Sequence, residues 1–255
     1  MALTKEQIKE FKAEEKEATD IFELSSLAND LVKAGDKEWA KNIYIKAEAV
    51  AEDCDDFRRL ADSVHENLGD KEWAKKIYKK AEDIVDDCED LCRLGRSVAS
   101  GNGLNDKEWA RELFQKAHNE AEESDEFEDL LSIGGEETSV ADNDCLGDKT
   151  WAKKALNQAL EKADNVSDRA RVASSVAKDN LLGDKEWARK IIKKAEDEAE
   201  DCFEFKDIAD VVFNDIGDKT WAKKIYDKAL KDIKDNHEDT IDPEIREEIE
   251  RKLLS

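Results

Sequence analysis

Gly69-Asp70-Lys71-Glu72-Trp73-Ala74 is the stretch on which the fold turns. Close variants of it surround Trp39, Trp73, Trp109, Trp151, Trp187 and Trp221, which are all the tryptophans in the 255 residues. Successive tryptophans lie 34, 36, 42, 36 and 34 residues apart. A period of that size marks a repeat architecture, so the chain reads as six copies of one unit. Every copy has an aspartate three residues before its tryptophan: Asp36, Asp70, Asp106, Asp148, Asp184 and Asp218. Aspartate is a favoured N-cap, because its carboxylate accepts from free backbone N–H groups and meets the positive end of the helix dipole. Gly35, Gly69, Gly147, Gly183 and Gly217 precede it, with Asn105 in the third copy. The motif therefore predicts a tight turn and then a helix start, six times over.

Outward from the motif, an apolar stripe runs down each predicted helix. Trp73, Ala74, Ile77, Tyr78 and Ala81 fall on one face, as do Trp221, Ala222, Ile225, Tyr226 and Ala229. The alanines allow a neighbouring helix to approach closely, and the intervening lysines are expected to face water. Another amphipathic helix is predicted ahead of each motif, from Leu24, Leu27, Ala28 and Leu31, from Phe57, Leu60, Ala61 and Val64, and from Phe205, Ile208, Ala209 and Val212. Neither helix can bury its stripe alone, but stacked neighbours bury both.

The totals agree with this reading. Charged residues make up 42% and there is one proline, Pro243, a composition that favours helix. The strong patterning argues against disorder despite that charge. Lys and Arg number 42 against 66 Asp and Glu, a net charge of −24. So acidic a chain repels nucleic-acid phosphates and anionic membranes and attracts basic partners. No apolar run is long enough to cross a bilayer, and residues 1–20 lack the apolar centre of a secretory signal. Five cysteines, an odd number, fit reduced thiols in a cytoplasm better than a disulfide framework.

Gly69-Asp70-Lys71-Glu72-Trp73-Ala74 with Tyr78, Lys80 and Ala81 resembles the second helix of a tetratricopeptide repeat, and Leu60, Ala61 and Val64 resemble the first. Gly101-Asn102-Gly103-Leu104 is more similar to the turn of a Sel1-like repeat. The resemblance covers residues 21–232 and implies a right-handed α-solenoid of six helix-turn-helix repeats, all-α in class. The chain departs from the tetratricopeptide pattern in three ways. Phe or Leu replaces the usual first-helix tryptophan, the closing proline is missing, and most turns carry an extra residue. An irregular insertion is expected near 132–146, around Gly134-Gly135, as a loop or broken helix able to kink the array. Residues 1–20, with Ile8 and Phe11, are expected to form an N-terminal capping helix. Residues 233–255 are expected to form a linker and a C-terminal capping helix that starts at Asp242-Pro243.

Catalysis needs convergent groups, and none is evident. His65, His118 and His237 are dispersed, and no phosphate-cradling glycine loop is present. Cys54, Cys88 and Cys202 share one slot with Ser124, Val166 and Asn236, which reads as a small turn position. Cys88 and Cys92 share a helix face but lack further metal ligands. The lysine after each capping aspartate (Lys37, Lys71, Lys107, Lys149, Lys185, Lys219) lies beside an acid, and its stem can cover apolar surface. The expectation is a protein that is not an enzyme and has no cofactor and no metal.

In the family that the chain resembles, first helices line the concave face that holds a partner. At matching positions stand Asn29, Arg58, Arg59, Asp62, His65, Arg93, Arg96, Arg171, Lys206 and Asp210. The arginines are either a bidentate grip for carboxylates or phosphates, or partners of carboxylates in adjacent repeats. The implied function is a protein-protein interaction module, a scaffold, adaptor or partner-inhibiting regulator, whose partner is another protein with an acidic segment. The alternative is an acidic nucleic-acid mimic, or an anti-defence or immunity protein, that sequesters a basic partner. Direct nucleic-acid or membrane binding is not expected. A monomer is the expected state, although the sequence leaves oligomerisation open.

Overall fold

The computed structural model describes residues 3–124, 126–135, 139–237 and 241–254. Regular structure among them is entirely helical. After α1 (Lys5–Glu17) come six pairs: α2 (Ile21–Lys33) and α3 (Lys37–Val50), α4 (Cys54–Ser63) and α5 (Lys71–Ile84), α6 (Cys88–Ala99) and α7 (Lys107–Ser124), α8 (Phe127–Gly134) and α9 (Lys149–Lys162), α10 (Val166–Ala177) and α11 (Lys185–Glu198), α12 (Cys202–Val211) and α13 (Lys219–Asp232). α14 (Pro243–Leu254) follows. Partners within a pair pack together, α6 and α7 through Gly95 and Phe114, and first helices stack on first helices, α4 on α6 and α10 on α12. This is an all-α solenoid of helix pairs. Two compact units divide it, residues 1–120 with 144–146, and residues 121–143 with 147–255.

The capping aspartates act as the sequence predicts. Oδ1 of Asp36, Asp70, Asp106, Asp148, Asp184 and Asp218 accepts from the backbone N–H of the tryptophan three residues on, at 3.0–3.2 Å. The residue before each has a left-handed backbone, from φ 54° at Asn105 to φ 94° at Gly35. Five copies use glycine there because an L side chain strains that geometry. The extra residue in two turns is absorbed by π-helical turns, Val64–Leu68 after α4 and Val212–Ile216 after α12, each ending on its left-handed glycine.

The stripes form the core. Ala74, Ile77, Tyr78 and Ala81 of α5, and Ala222, Ile225, Tyr226 and Ala229 of α13, are fully buried. The tryptophans behave differently from the rest of the stripe. Trp109 is buried, at 6% exposure, but the others are half-buried at the stripe edge. An indole is apolar across its face and polar at Nε1, so the edge suits it. In the third pair the alanine slot of the first helix is Gly95, and the buried Phe114 ring closes onto it. A Cβ there would lie 2.9 Å from Phe114 Cε2.

α8 stops at Gly134, where a Cβ would meet Leu156 of α9 at 2.8 Å. Residues 136–138 of the expected insertion lie outside the described residues. Beyond them Val140 N–H donates to Ile133 O at 3.0 Å, and Asp148 N–H donates to Val140 O at 2.7 Å, so the returning chain is tied to the broken helix. At the start of the chain, α1 opens with a Thr4–Gln7 capping box, and Phe11 meets the Trp39 ring edge-on at 6.0 Å. At the end, α14 packs on α13 and buries Ile249, and Asp242 accepts from Glu244 N–H at 3.0 Å. Residues 238–240 of the expected linker, and residues 1, 2 and 255, lie outside the described residues. No helix among those described is long and apolar enough to cross a membrane.

Candidate functional site

Adjacent repeats are joined by a recurring set of side chains, most of which the sequence reading did not single out. Trp39 Nε1 donates to Glu15 at 2.9 Å, Trp73 to Glu48 at 2.8 Å, Trp109 to Glu82 at 3.0 Å and Trp221 to Glu196 at 2.8 Å. Each glutamate also receives a lysine from the later repeat: Lys46, Lys80, Lys116 and Lys228 respectively. Glu48, Glu82 and Glu196 lie nine residues after their own tryptophan, and α1 supplies Glu15 where no earlier repeat exists. The hydrogen bond from Lys46 holds the Glu15 carboxyl below its ordinary value. Burial alone would raise Glu82, but Lys116, Lys79 and Trp109 together keep it lowered.

A second bridge uses the capping aspartates. Lys41 reaches Asp70 Oδ2 at 3.1 Å, Lys75 reaches Asp106 at 3.0 Å and Lys153 reaches Asp184 at 3.1 Å. The same ammonium groups lie over the rings of Trp73, Trp109 and Trp187, 5.0–5.5 Å from the centroids. These lysines were expected simply to face water. They are about half exposed, yet their charge is held by the next repeat.

The ten first-helix candidates separate into two groups. Asn29, Asp62 and Asp210 accept from the hydroxyls of Tyr44, Tyr78 and Tyr226. Arg58 is mostly covered and bonds Asp55, Asp62 and Ser97 Oγ. Lys206 pairs with Asp210 at 2.8 Å and Glu248 at 3.3 Å, and Lys252 of α14 also binds Asp210. Burial would raise Asp210, but Lys206, Lys252 and Tyr226 hold it lowered. At Asp62 burial prevails over Tyr78 and Arg58, and its carboxyl is raised. His65 Nδ1 lies 2.8 Å from Asn102 O and so ties the second repeat to the turn of the third. Arg96 is half-buried on α6.

The second group is more open. Arg59 is 69% exposed and Arg93 is 44% exposed, and both pair with carboxylates of their own helix, Arg59 with Asp55 and Arg93 with Glu89 and Asp90. Arg171, 41% exposed, grips Glu128 of the preceding repeat with both guanidinium nitrogens and lies over the Phe127 ring.

The junction between the fourth and fifth repeats departs from the pattern. Nine residues after Trp151 of the fourth copy stands Leu160, where the first, second and fifth copies carry glutamate and the third carries His118. A cleft of about 270 Å³ opens there, lined by Leu160, Arg169, Trp187, Lys190, Ile191 and Lys194. Arg169 pairs with Glu198 at 2.8 Å. Trp187 Nε1 has no acceptor, and Lys190 and Lys194 form no ion pair, among the described residues.

The five cysteines are buried, and none forms a disulfide among the described residues. Burial pushes the Cys54 thiol up to about 12 and the Cys202 thiol up to about 11, far from a reactive thiolate. His118 is buried, and the side chain of His237 lies outside the described set. No group of three or more His, Cys, Asp or Glu among the described residues could hold a metal ion.

The bridging residues did leave a signal. Glutamate nine residues after one tryptophan coincides with lysine seven after the next. Tyrosine five after a tryptophan coincides with Asn or Asp in the partner helix, as in the first, second and sixth copies. Where that tyrosine is Phe114, Leu156 or Ile192, the partner slot holds Arg96, Ser132 or Ser174.

No family model matches the chain. No curated protein matches it either. Among solved structures it is similar to one described as a "Circular tandem repeat protein with novel repeat topology and enhanced subunit contact surfaces", at 17% identity and a TM-score of 0.13. The likeness covers 92% of this chain and 44% of that one, so this chain spans less than half of that protein's length.

Proposed function

We propose that the chain is a non-catalytic protein-interaction module, of the tetratricopeptide or Sel1-like kind, that binds an acidic segment of another protein through its first helices. The observation that carries this reading is the exposure of Arg59, Arg93 and Arg171 at one register of three first helices in a chain of net charge −24. Exposed ion pairs are worth about 0–1 kcal/mol, so a guanidinium held by one can exchange it for a ligand carboxylate at little cost. Asn29, Asp62, Lys206 and Asp210 then serve as struts that hold the helices on which those arginines stand. The acidic-mimic alternative has no comparable support, because Asp70, Asp106 and Asp184 at the repeat starts are bound by lysines.

The test is affinity capture from the source cell's lysate with the wild type and with an Arg59→Glu/Arg93→Glu/Arg171→Glu variant of unchanged helical content. The expected result is a partner retained by the wild type and lost, by at least about tenfold (1.4 kcal/mol), from the variant. Equal retention by both would reject the first-helix site.

A further inference from the structure

The geometry points to the cleft at Trp187 as a docking site for a glutamate side chain on an acidic segment of a partner protein. The inference rests on the reading of the chain as a protein-interaction module, but not on the first-helix arginines.

The argument comes from the broken repetition. At four junctions a glutamate lies between an indole N–H and a lysine ammonium. At the junction of the fourth and fifth repeats the two donors remain, Trp187 Nε1 and Lys194 of the fifth, and Leu160 of the fourth stands in place of the glutamate. The donors are held in place by neighbours. Asp184 accepts from Trp187 N–H at 3.0 Å, and Lys153, itself paired with Asp184, covers the ring at 5.0 Å. Two of the nearby acids pair with other groups, Glu198 with Arg169 and Asp184 with Lys153. Lys190 adds a second ammonium that forms no ion pair among the described residues.

An open cleft with an unused indole donor and two positive charges suits a carboxylate, and the apolar floor of Leu160 and Ile191 suits the methylenes that carry it. Glutamate fits both. In a chain so acidic, two ammonium groups side by side with no ion pair among the described residues favour an acidic over a basic segment at this spot.

The experiment follows the six indole N–H signals of protein labelled with ¹⁵N-tryptophan, with Trp187 assigned by Trp187→Phe. The probes are acetyl-Leu-Glu-Glu-Leu-amide and its Gln-Gln counterpart. The expected result is a saturable downfield shift of the Trp187 signal alone, with an apparent Kd on the order of 1 mM for so short a peptide. The shift should weaken severalfold at about 0.5 M salt and should be absent with the Gln-Gln peptide. Leu160→Glu supplies the missing carboxylate from within, so it should move the Trp187 signal without peptide and abolish the response. No shift up to about 20 mM peptide, weaker than any useful contact, would overturn the proposal. So would an equal response to the Gln-Gln peptide, a response of all six indoles together, or an unchanged response in Leu160→Glu. A Trp187 shift on raising protein concentration alone would show that the carboxylate comes from a second copy, which also overturns a foreign partner. Loss of capture by the arginine variant while Trp187 stays silent would sink this site and leave the first-helix reading intact.

Discussion

At the scale of single residues, side chains that differ between copies prove to be matched pairs. Tyr78 carries a hydroxyl into a fully buried position, and Asp62 is there to accept from it. A buried hydroxyl without a partner costs about 1–3 kcal/mol, so tyrosine and its acceptor come and go together. Gly95 and Phe114 form another such pair, in which the missing Cβ makes room for the ring. Gly95→Ala should gain up to about 1 kcal/mol of helix propensity, but forcing apart a closed contact costs about 1–3 kcal/mol, so the net effect should be destabilising. Phe114→Leu in the same chain should relieve the clash. A double-mutant cycle of urea melts should therefore show a coupling of at least about 0.5 kcal/mol, and simple additivity would mean that the ring moves aside freely.

At the scale of one helix, the capping aspartate has two tasks that chemistry can separate. Asp70 accepts from Trp73 N–H and, across the junction, from Lys41. Asp70→Ala should cost about 1 kcal/mol for the cap alone, whereas Asp70→Asn keeps the cap and loses only the charge. The Trp73 N–H and then Lys41 hold the Asp70 carboxyl below its ordinary value. A carboxyl lowered on folding stabilises the protein above its unfolded pKa of about 3.9, and that contribution disappears as pH falls through the lower folded value. Asp106 is lowered by Lys75 and then the Trp109 N–H, and Asp184 by the Trp187 N–H and then Lys153. Thermal melts should therefore show wild type and Asp70→Asn diverging at neutral pH and converging in strong acid. A difference that persists at low pH would show that charge is not its source.

At the scale of the whole molecule, each repeat leans on its neighbours in sequence, so stability is approximately a sum of repeat and junction contributions. Ile77 lies at the centre of α5 and is fully buried. Ile77→Ala should cost about 2–5 kcal/mol, and hydrogen exchange should locate the loss. Protection should fall in α4 and α5, fall less in α3 and α6, and remain unchanged in α10 to α13. A uniform fall along the chain would show one cooperative unit in place of a graded array. The junction that lacks its glutamate at Leu160 should exchange faster than the junctions bridged by Glu48, Glu82 and Glu196, for the same reason.

Much of the architecture was already written in spacing. The tryptophan period, the aspartate three residues ahead of each tryptophan and the apolar offsets specify helix pairs and their starts, because capping and amphipathic periodicity act over a few residues along the chain. Local signals of the same kind stand where α8 ends at Gly134, at the Thr4 cap of α1 and at Pro243, where α14 starts. The links between repeats were settled only by packing. Glu48 and Trp73, or Lys41 and Asp70, lie 25 and 29 residues apart, and nothing local brings them together. Nor does spacing distinguish a mostly covered arginine that braces the helices, like Arg58, from one left open, like Arg59 beside it. That difference depends on which side of the helix the neighbouring repeat covers, and it leaves one exposed to solvent and the other mostly covered.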